Sequence, residues 1–422
     1  MIVRIEALAY RCLRFIPQSL DPFQVLIGPN ASGKSTFLDV IAFLADLVRE
    51  KEGVAAAVAA RAPDVRDLVW MRQGDAFELA VEAAIPETLR RRKNGSYGRV
   101  RYEVRVGLQA DTGEINLLAE TLWLRPEPSA DDEESQVQSQ LFPLAPPPPD
   151  TILSAGKHAP AGWRRVLSKV PGSGSDYFHS EFTDWNIQLR LGPRRSALAN
   201  LPEDEEKFPV SIWFRRYLLE GVQRLALNSA ALRLASKPGS SRHFQPDGSN
   251  LPWVVNSLEE QAPDKLAEWI AHVRTALPDL QAIRTVERPD DRHRYLVLDY
   301  ATGLSAPSWL VSDGTLRLLA LTILAYIPDL QGVYLIEEPE NGIHPRAVET
   351  VLQSLSSVYS AQVLLATHSP VILSLAEPQQ VLCFNRTDEG ATAVVLGSQH
   401  PNLRQWKGET DLGTLFASGV LG

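Results

Sequence analysis

The chain has 422 residues, of which 44% are hydrophobic and 22% charged, and its formal net charge is −9. This length and composition are typical of a globular protein with room for one large α/β core and a further lobe. An acidic chain is not expected to coat nucleic acid with its whole surface. No apolar run reaches the roughly 20 residues of a membrane-spanning helix, so we expect no membrane association.

The termini and the cysteines indicate a cytoplasmic protein. The first residues, MIVRIEALAYRCLRF, lack the charged head and long apolar core of a signal peptide and read as a first strand. The only cysteines are Cys12 and Cys383, which predicts neither a disulfide nor a zinc site.

Local clusters of basic residues allow two interpretations: a solvent-exposed surface, or a site of contact with DNA. The candidate clusters are Arg90–Lys93, then Arg99, Arg101 and Arg105, and the pair Arg194 and Arg195.

A glycine-rich loop follows the short apolar strand FQVLI at residues 23–27. The loop, Gly28–Thr36, reads GPNASGKST and matches G-x-x-x-x-G-K-S, and apolar residues at helical spacing follow it. Backbone N–H groups of such a loop converge on phosphate oxygens at a helix N-terminus. Lys34 is expected to reach the β and γ phosphates and Ser35 to ligate Mg²⁺. The predicted nucleotide-binding residues of the loop are Gly28, Asn30, Ala31, Ser32, Gly33, Lys34, Ser35 and Thr36.

The middle of the chain changes character twice. Residues 75–124 alternate in polarity and contain Asn-Gly and Asp-Thr-Gly turns, which predicts an antiparallel β meander. Residues 126–149 contain DDEES and APPPP and are expected to form a mobile loop. Residues 208–235 are predicted to be helical in part, and 258–277 are predicted to form one helix that ends before Pro278.

Two carboxylates end an apolar strand in the C-terminal part. The segment GVYLIEEPE predicts that Glu337 and Glu338 lie at a strand end, where a cation or water must be present to make them acceptable. We interpret Glu337 as the carboxylate that holds Mg²⁺ through water and Glu338 as the base that activates the attacking water. The alternative is two surface acids at a strand end.

A histidine ends the next apolar strand. His368 closes QVLLATHSP, so a parallel arrangement would bring it to the same sheet edge as the two acids, within reach of a γ-phosphate. The alternative is a structural histidine.

A serine begins a long apolar helix before these strands. Ser312 in SDGTLRLLAL is predicted to cap the helix, and its free N–H groups offer a second anion site. Gly314 weakens the first turn, and the close approach of a phosphate would explain its presence. The alternative is a plain helix cap.

Together these motifs resemble the ABC-type ATPases of the SMC, RecF and Rad50 kind. More closely, they resemble the prokaryotic AAA-family ATPases (AAA_21-like) related to the OLD nucleases. The four motifs GPNASGKST, LVSDGTLRLLAL, LIEEPENGIHP and ATHSP occur in the order of that family. The resemblance implies an α/β P-loop NTPase with an ABC/SMC-type head, a β meander beside the core and a mixed, mainly helical insertion.

The resemblance also implies partners and further roles. Two subunits would enclose ATP head to tail, with Ser312 and Gly314 contacting the γ-phosphate held by the partner's Lys34, and with Asn341 and Gly342 coupling the two sites. The motifs do not place the glutamine loop of such ATPases, for which Gln73 is a candidate. Glu337 replaces the usual aspartate, SDGT replaces SGGQ, and no Toprim nuclease segment follows, so a nuclease activity would reside in a separate effector protein.

The sequence therefore predicts an ATPase that uses Mg²⁺ and acts as a switch, in three parts. Residues 1–125 form an N-terminal lobe, 126–294 an insertion that senses DNA or holds a partner, and 295–422 a C-terminal lobe. Family resemblance suggests the ATPase subunit of an anti-phage defence system. The alternatives are a RecF-like repair ATPase, a transporter ATPase subunit and a scaffold that binds ATP without turnover.

Overall fold

A computed structural model describes residues 1–49, 53–91, 97–109, 111–127, 147–154, 159–169 and 175–400. Strands in these ranges are β1 (Ile2–Tyr10), β2 (Leu13–Ser19), β3 (Phe23–Ile27), β4 (Ala76–Ala84), β5 (Arg99–Leu108), β6 (Ile115–Arg125), β7 (Arg164–Lys169), β8 (Asp176–His179), β9 (Asn186–Leu189), β10 (Val222–Leu225), β11 (Leu280–Glu287), β12 (Arg294–Tyr300), β13 (Ser305–Pro307), β14 (Val333–Glu337), β15 (Gln362–Ala366), β16 (Val381–Arg386) and β17 (Thr392–Leu396).

The α-helices of the same ranges are mostly short. They are α1 (Lys34–Arg49), α2 (Val54–Ala59), α3 (Glu87–Arg91), α4 (Pro209–Arg216), α5 (Ser229–Arg233), α6 (Leu251–Gln261), α7 (Pro263–Ala276), α8 (Asp313–Thr322), α9 (Pro345–Ser356) and α10 (Pro370–Leu375). Within the described ranges no helix is long and apolar enough to cross a membrane.

The chain forms two compact units, each assembled from separate segments. The first unit contains Met1–Asp21, Gly28–Val222 and the described residues from Leu382 onward. The second contains Pro22–Ile27 and Gln223–Val381.

The first unit is built on an eight-stranded sheet in the order β2-β1-β4-β5-β6-β7-β8-β9. Its registered neighbours are antiparallel throughout. The predicted meander forms the strands β4, β5 and β6. The N-terminal residues add a hairpin on one side, and β7–β9 extend the sheet on the other, so the first part of the predicted insertion is β-structure.

Helix α1 packs its apolar side into the core of the first unit. Phe37, Ile41 and Phe43 are fully buried on it. The Phe43 ring lies 5.5 Å from that of Phe77 on β4, and Phe77 lies 4.8 Å from Tyr10 on β1. Burial of these rings holds the helix that starts at the glycine-rich loop in a fixed position against the sheet.

The second unit contains three parallel strands in the order β14-β15-β3. All five residues of β3 and of β15 are buried, as expected for strands covered on both faces. The register pairs Glu337 with Ala366, and Ala366 with Leu26. The carboxyl ends of the three strands therefore lie at one edge of the sheet.

The helix predicted over 258–277 is two helices. Helix α6 ends at Gln261 and α7 begins at Pro263. Proline has no N–H to donate within a continuous helix but suits the first turn of a new one. The second unit also contains a three-stranded antiparallel sheet, β11-β12-β13.

Some sequence predictions fall on residues outside the described ranges. These are the loop predicted over 126–149, apart from its ends, and the basic residues Arg92 and Lys93.

Candidate active site

The backbone of the glycine-rich loop leaves no room for a side chain at two of its positions. Ala31 and Gly33 have φ values of 62° and 105°. A Cβ on Gly28 would lie 2.2 Å from the carbonyl oxygen of Phe384, and one on Gly33 would lie 2.3 Å from Oγ1 of Thr392. The hairpin β16–β17 thus packs directly against the loop, which explains both glycines.

The hairpin also holds the loop by a hydrogen bond. Thr392 Oγ1 donates to the Ser32 carbonyl oxygen at 2.9 Å. Residue Ser32 is only 1% exposed, and its side-chain Oγ has no hydrogen-bond partner among the described atoms. A buried hydroxyl without a partner is costly, which is consistent with a ligand contact at this loop.

Lys34 lies under the loop that precedes it. Its ammonium donates to the carbonyl oxygens of Gly28 and Pro29 at 2.8 and 3.0 Å, and the residue is 7% exposed. Ser35 is exposed on the first turn of α1, as are Asn30 and Ala31 in the loop. A buried ammonium that lies against its own loop at the N-terminus of a helix fits a phosphate group.

The acids of the second unit lie at the shared edge of the parallel strands, as predicted. Glu337 is the last residue of β14, and the Glu338 N–H donates to the Ala366 carbonyl oxygen at 2.7 Å. Thr367, directly after β15, donates its N–H to the Leu26 carbonyl oxygen at 3.1 Å. His368 follows, half-buried, so it lies at this edge too.

Glu337 has a cationic partner that the sequence did not indicate. Arg224 of β10 donates from Nη2 to Glu337 Oε1 at 2.7 Å, with side-chain exposures of 57% and 29%. A cation therefore already sits on the carboxylate assigned to Mg²⁺. No group of three or more His, Cys, Asp or Glu residues within the described ranges could hold a metal ion alone.

Glu338 is held in a strained backbone conformation. Its φ is 48°, in the left-handed region, and its side chain is exposed. The Asn341 side-chain amide donates to Glu338 Oε2, and the Asn341 N–H donates to the Glu338 carbonyl oxygen at 3.0 Å. Such a backbone costs on the order of 1–3 kcal/mol and is found mostly at functional sites. Asn341 thus orients the acid that we assigned to catalysis.

A third acid, Glu340, was missed. Its Oε1 accepts hydrogen bonds from Thr367 Oγ1 at 2.6 Å and from the His368 N–H at 3.3 Å. Its Oε2 is buried without a hydrogen-bond partner among the described atoms. Glu340 therefore links the loop after β14 to the end of β15. The signal available in the sequence was a third carboxylate within EEPE.

Ser312 caps helix α8, as predicted. Its Oγ accepts from the Thr315 N–H at 3.2 Å and donates to Thr315 Oγ1 at 2.9 Å.

Gly314 has an explanation within the chain. A Cβ at this position would lie 2.5 Å from the carbonyl oxygen of Gly342. Close backbone packing between α8 and the loop after β14 therefore suffices to require glycine. Contact with a phosphate is not needed to explain it and stays a prediction.

The segment of Asn341 and Gly342 is tied to helix α8 a second time. Arg317 of α8 lies 3.4 Å from the Asn341 carbonyl oxygen through Nη1 and 3.3 Å from the Leu227 carbonyl oxygen through Nη2. Ser312 and Glu338 are thus joined through one packed segment of the second unit.

Two other residues singled out in the sequence, Gln73 for the glutamine loop and Arg101 for contact with DNA, have ordinary structural contacts. Gln73 is an exposed residue after the turn Trp70–Arg72, and its N–H donates to the Trp70 carbonyl oxygen at 2.8 Å. Arg101 is not a surface cation, as the basic cluster implied. Its side chain is 6% exposed and forms ion pairs with Glu6, Glu82 and Glu103, which removes it from any DNA-binding patch.

Comparison with known proteins agrees with this geometry. Residues 23–374 match the AAA_21 family, described as "AAA domain, putative AbiEii toxin, Type IV TA system". The chain is 33% identical to the "Retron Vc95 probable ATPase" of Vibrio cholerae serotype O1 biovar El Tor over 86 residues. This aligned segment covers 19% of this chain and 16% of that protein.

A solved structure shows the same fold. The SMC head in the crystal structure of "the SmcHead bound to the C-winged helix domain of ScpA" has a TM-score of 0.52 and 13% identity, and the match covers 93% of this chain and 96% of that chain. The family match spans most of the chain, including the glycine-rich loop, the two acids and His368. The chain belongs to the AAA_21 family and has the α/β fold of the SMC-type P-loop ATPase heads.

Proposed function

We propose that this protein hydrolyses ATP with Mg²⁺ and uses the reaction as a molecular switch. One observation gives the strongest support. Strand β3 lies in a parallel sheet beside β15 and β14, and it ends one residue before the phosphate loop. The acids and His368 follow the neighbouring strands at the same edge, which is where α/β sheets of this type bind ligands.

The residue roles follow from the chemistry of each group. Lys34 binds the β and γ phosphates of ATP, and the loop backbone from Gly28 to Thr36 surrounds them. Ser35 and Glu337 would hold Mg²⁺, with Glu337, which pairs with Arg224 in this structure, contacting the metal through water. Mg²⁺ neutralises phosphate charge when it is bound. Glu338 takes a proton from the attacking water, and His368 donates a hydrogen bond to the γ-phosphate.

Dimerisation couples the reaction to a partner. Two subunits bind ATP head to tail, with Ser312 and Gly314 of one subunit facing the γ-phosphate held by Lys34 of the other. Hydrolysis at Glu338 releases the pair. The segment of Asn341 and Gly342 supports this coupling, because it contacts both the Glu338 carboxylate and helix α8.

Family resemblance supports a biological setting in anti-phage defence, with a separate effector such as a nuclease under the control of this ATPase. The description of the family and the name of the retron relative are consistent with that setting. A RecF-like role in DNA repair is the second candidate, favoured by the likeness of the fold to an SMC head. Stimulation of ATP hydrolysis by DNA in the absence of any partner would favour repair.

The decisive variant is Glu338→Gln. We expect hydrolysis to fall by about 10²–10⁴-fold, the usual contribution of a general base, while ATP binding remains. ATP should then hold the variant as a dimer in light scattering. The control is Glu349→Gln, which changes an exposed glutamate on α9 and should hydrolyse ATP at the wild-type rate. Wild-type hydrolysis by the Glu338 variant would overturn the role of this acid.

A further inference from the structure

Glu340 is an acid of the candidate site that the proposed reaction does not use. It lies two residues after Glu338 in the loop that follows β14 and is half-buried. Its Oε1 accepts hydrogen bonds from Thr367 Oγ1 at 2.6 Å and from the His368 N–H at 3.3 Å. Both donors directly follow β15, so one carboxylate oxygen joins the ends of two neighbouring strands.

Thr367 extends this contact to the other side of His368. The residue is fully buried, and its Oγ1 accepts the Ser369 N–H at 2.9 Å while it donates to Glu340. Its own N–H donates to the Leu26 carbonyl oxygen at 3.1 Å. The backbone is therefore fixed immediately before His368, at His368 and immediately after it, and the last two contacts depend on the pair Glu340 and Thr367.

The other oxygen of Glu340 indicates a role besides stability. Oε2 is buried and has no hydrogen-bond partner among the described atoms. Burying a carboxylate oxygen without a partner is unfavourable for folding. Such an unsatisfied group in a folded protein requires an explanation, and a role in catalysis is one.

We propose that Glu340 is a positioning residue for ATP hydrolysis and acts through His368. It holds the backbone around His368 so that the imidazole reaches the γ-phosphate. The inference rests on the proposed function, in which His368 donates a hydrogen bond to that phosphate. Groups that act on a reacting centre must be held within about 0.5 Å of their productive position, and a displacement of about 1 Å can slow a reaction by about 10²-fold.

The alternative is that Glu340 acts through Glu338, which is two residues away in the same loop. The Glu338 carboxylate has a contact of its own, because its Oε2 accepts from the Asn341 side-chain amide. Glu338 is thus held by its own loop, whereas Glu340 is bonded to the residues after β15. A substitution of Glu340 is therefore expected to displace His368 rather than Glu338.

Substitutions of the pair Glu340 and Thr367 in the full chain test this role. Glu340→Ala should lower kcat for ATP at least about tenfold. Its affinity for ADP, measured by calorimetry with Mg²⁺, should stay within about twofold of the wild type, because ADP lacks the γ-phosphate that His368 contacts. Thr367→Val removes the hydroxyl at nearly constant shape and should show the same loss of kcat. Thr367→Ser keeps the hydroxyl and should retain most of the wild-type kcat.

The matched control for Glu340→Ala is Glu349→Ala. It removes an exposed glutamate from α9 and should hydrolyse ATP at the wild-type rate. If Glu340→Ala does not fold, which loss of ADP binding would reveal, Thr367→Val provides the same test.

A double-mutant cycle with His368→Ala shows through which residue Glu340 acts. His368→Ala alone should slow hydrolysis at least about tenfold, the effect of losing one donor to the transition state. Adding Glu340→Ala should slow it by less than about twofold more, because the residue that Glu340 positions is already absent.

Losses that multiply in the double variant would mean that Glu340 acts through another group and would overturn the inference. Wild-type kcat in Glu340→Ala, Thr367→Val or His368→Ala would overturn it as well, while leaving the ATPase assignment intact. Absence of hydrolysis in the wild type, or unchanged hydrolysis in Glu338→Gln, would instead overturn the proposed function and the role of Glu340 with it.

Discussion

Single residues of the candidate site were predictable where a local motif specifies them. The spacing of the phosphate-loop motif identified Lys34 and Ser35, and the ends of apolar strands identified Glu337, Glu338 and His368. The contact of Arg224 with Glu337 was not predictable, because it joins positions 113 residues apart with no shared motif. The contacts of Glu340 were not predictable for the same reason, since they are made with Thr367 and His368, which follow another strand.

Gly314 gives a test at the scale of one residue. In an ordinary helix, replacing glycine by alanine stabilises the protein by roughly 0.5–1 kcal/mol. Here the added Cβ would lie 2.5 Å from the Gly342 carbonyl oxygen, a backbone atom that cannot rotate away. We therefore expect Gly314→Ala to lower the free energy of unfolding by about 1–3 kcal/mol, measured by urea denaturation.

The control for Gly314→Ala is Lys265→Ala on α7. Lys265 and its partner Glu268 are both more than half exposed, with side-chain exposures of 52% and 55%, so its loss should change stability by less than about 0.5 kcal/mol. A Gly314→Ala protein as stable as the wild type would show that the close packing with Gly342 does not require this glycine.

At the scale of elements, periodicity predicted the secondary structure of each segment but not all of the strands that pair with it. The alternation over residues 75–124 predicted β4, β5 and β6, because polar and apolar side chains alternate along each, although the polar residues Glu78 and Glu82 of β4 are buried as well. The addition of β1 and β2 on one side and β7–β9 on the other follows from pairing between distant segments, which alternation does not encode. The split between α6 and α7 was missed because the apolar stripe continues past Pro263, although proline interrupts the backbone hydrogen bonds.

The sheet of the first unit predicts a pH dependence of stability. Burial would raise the pKa of Glu6, but the Arg101 and Arg4 guanidinium groups outweigh it and hold the pKa below its ordinary value of 4.5. A depressed carboxyl pKa stabilises the fold above the ordinary value, and the contribution is lost as the pH falls through the lower pKa of the folded state. We expect the free energy of unfolding to decrease below pH 4.5 as Glu6 becomes protonated.

Glu6→Gln isolates this contribution in urea denaturation between pH 7 and pH 3.5. The variant should be less stable than the wild type at pH 7, because Arg101 loses a partner that lies 2.7 Å from its Nη2. The difference should shrink as the pH falls below 4.5. Glu205→Gln changes an exposed glutamate of the same unit and should keep the wild-type pH dependence. A constant difference between Glu6→Gln and wild type over this range would contradict the assignment.

At the scale of the whole molecule, the motifs are divided between the two units. The phosphate loop belongs to the first unit, whereas Ser312, Glu338 and His368 belong to the second. Since the proposed ATPase uses Ser312 on the nucleotide of its partner, one subunit would hold parts of two different sites. Complementation between two defective subunits can test this arrangement.

Lys34→Ala removes the phosphate contact, and Ser312→Asp places a carboxylate where the partner's γ-phosphate would bind. Aspartate caps a helix as well as serine does, so α8 should remain folded, which circular dichroism can check. Each variant alone should hydrolyse ATP slowly. In an equal mixture, half of randomly formed dimers are mixed and each has one intact site, so we expect about a quarter of the wild-type rate. A mixture no faster than the mean of the two variants would mean that Ser312 does not act across a dimer.

A mixture of Lys34→Ala with Glu338→Gln is the control, because Lys34 and Glu338 act on the same nucleotide. In its mixed dimers one site lacks Lys34 and the other lacks Glu338, so neither site is intact, and this mixture should hydrolyse ATP no faster than the mean of the two variants.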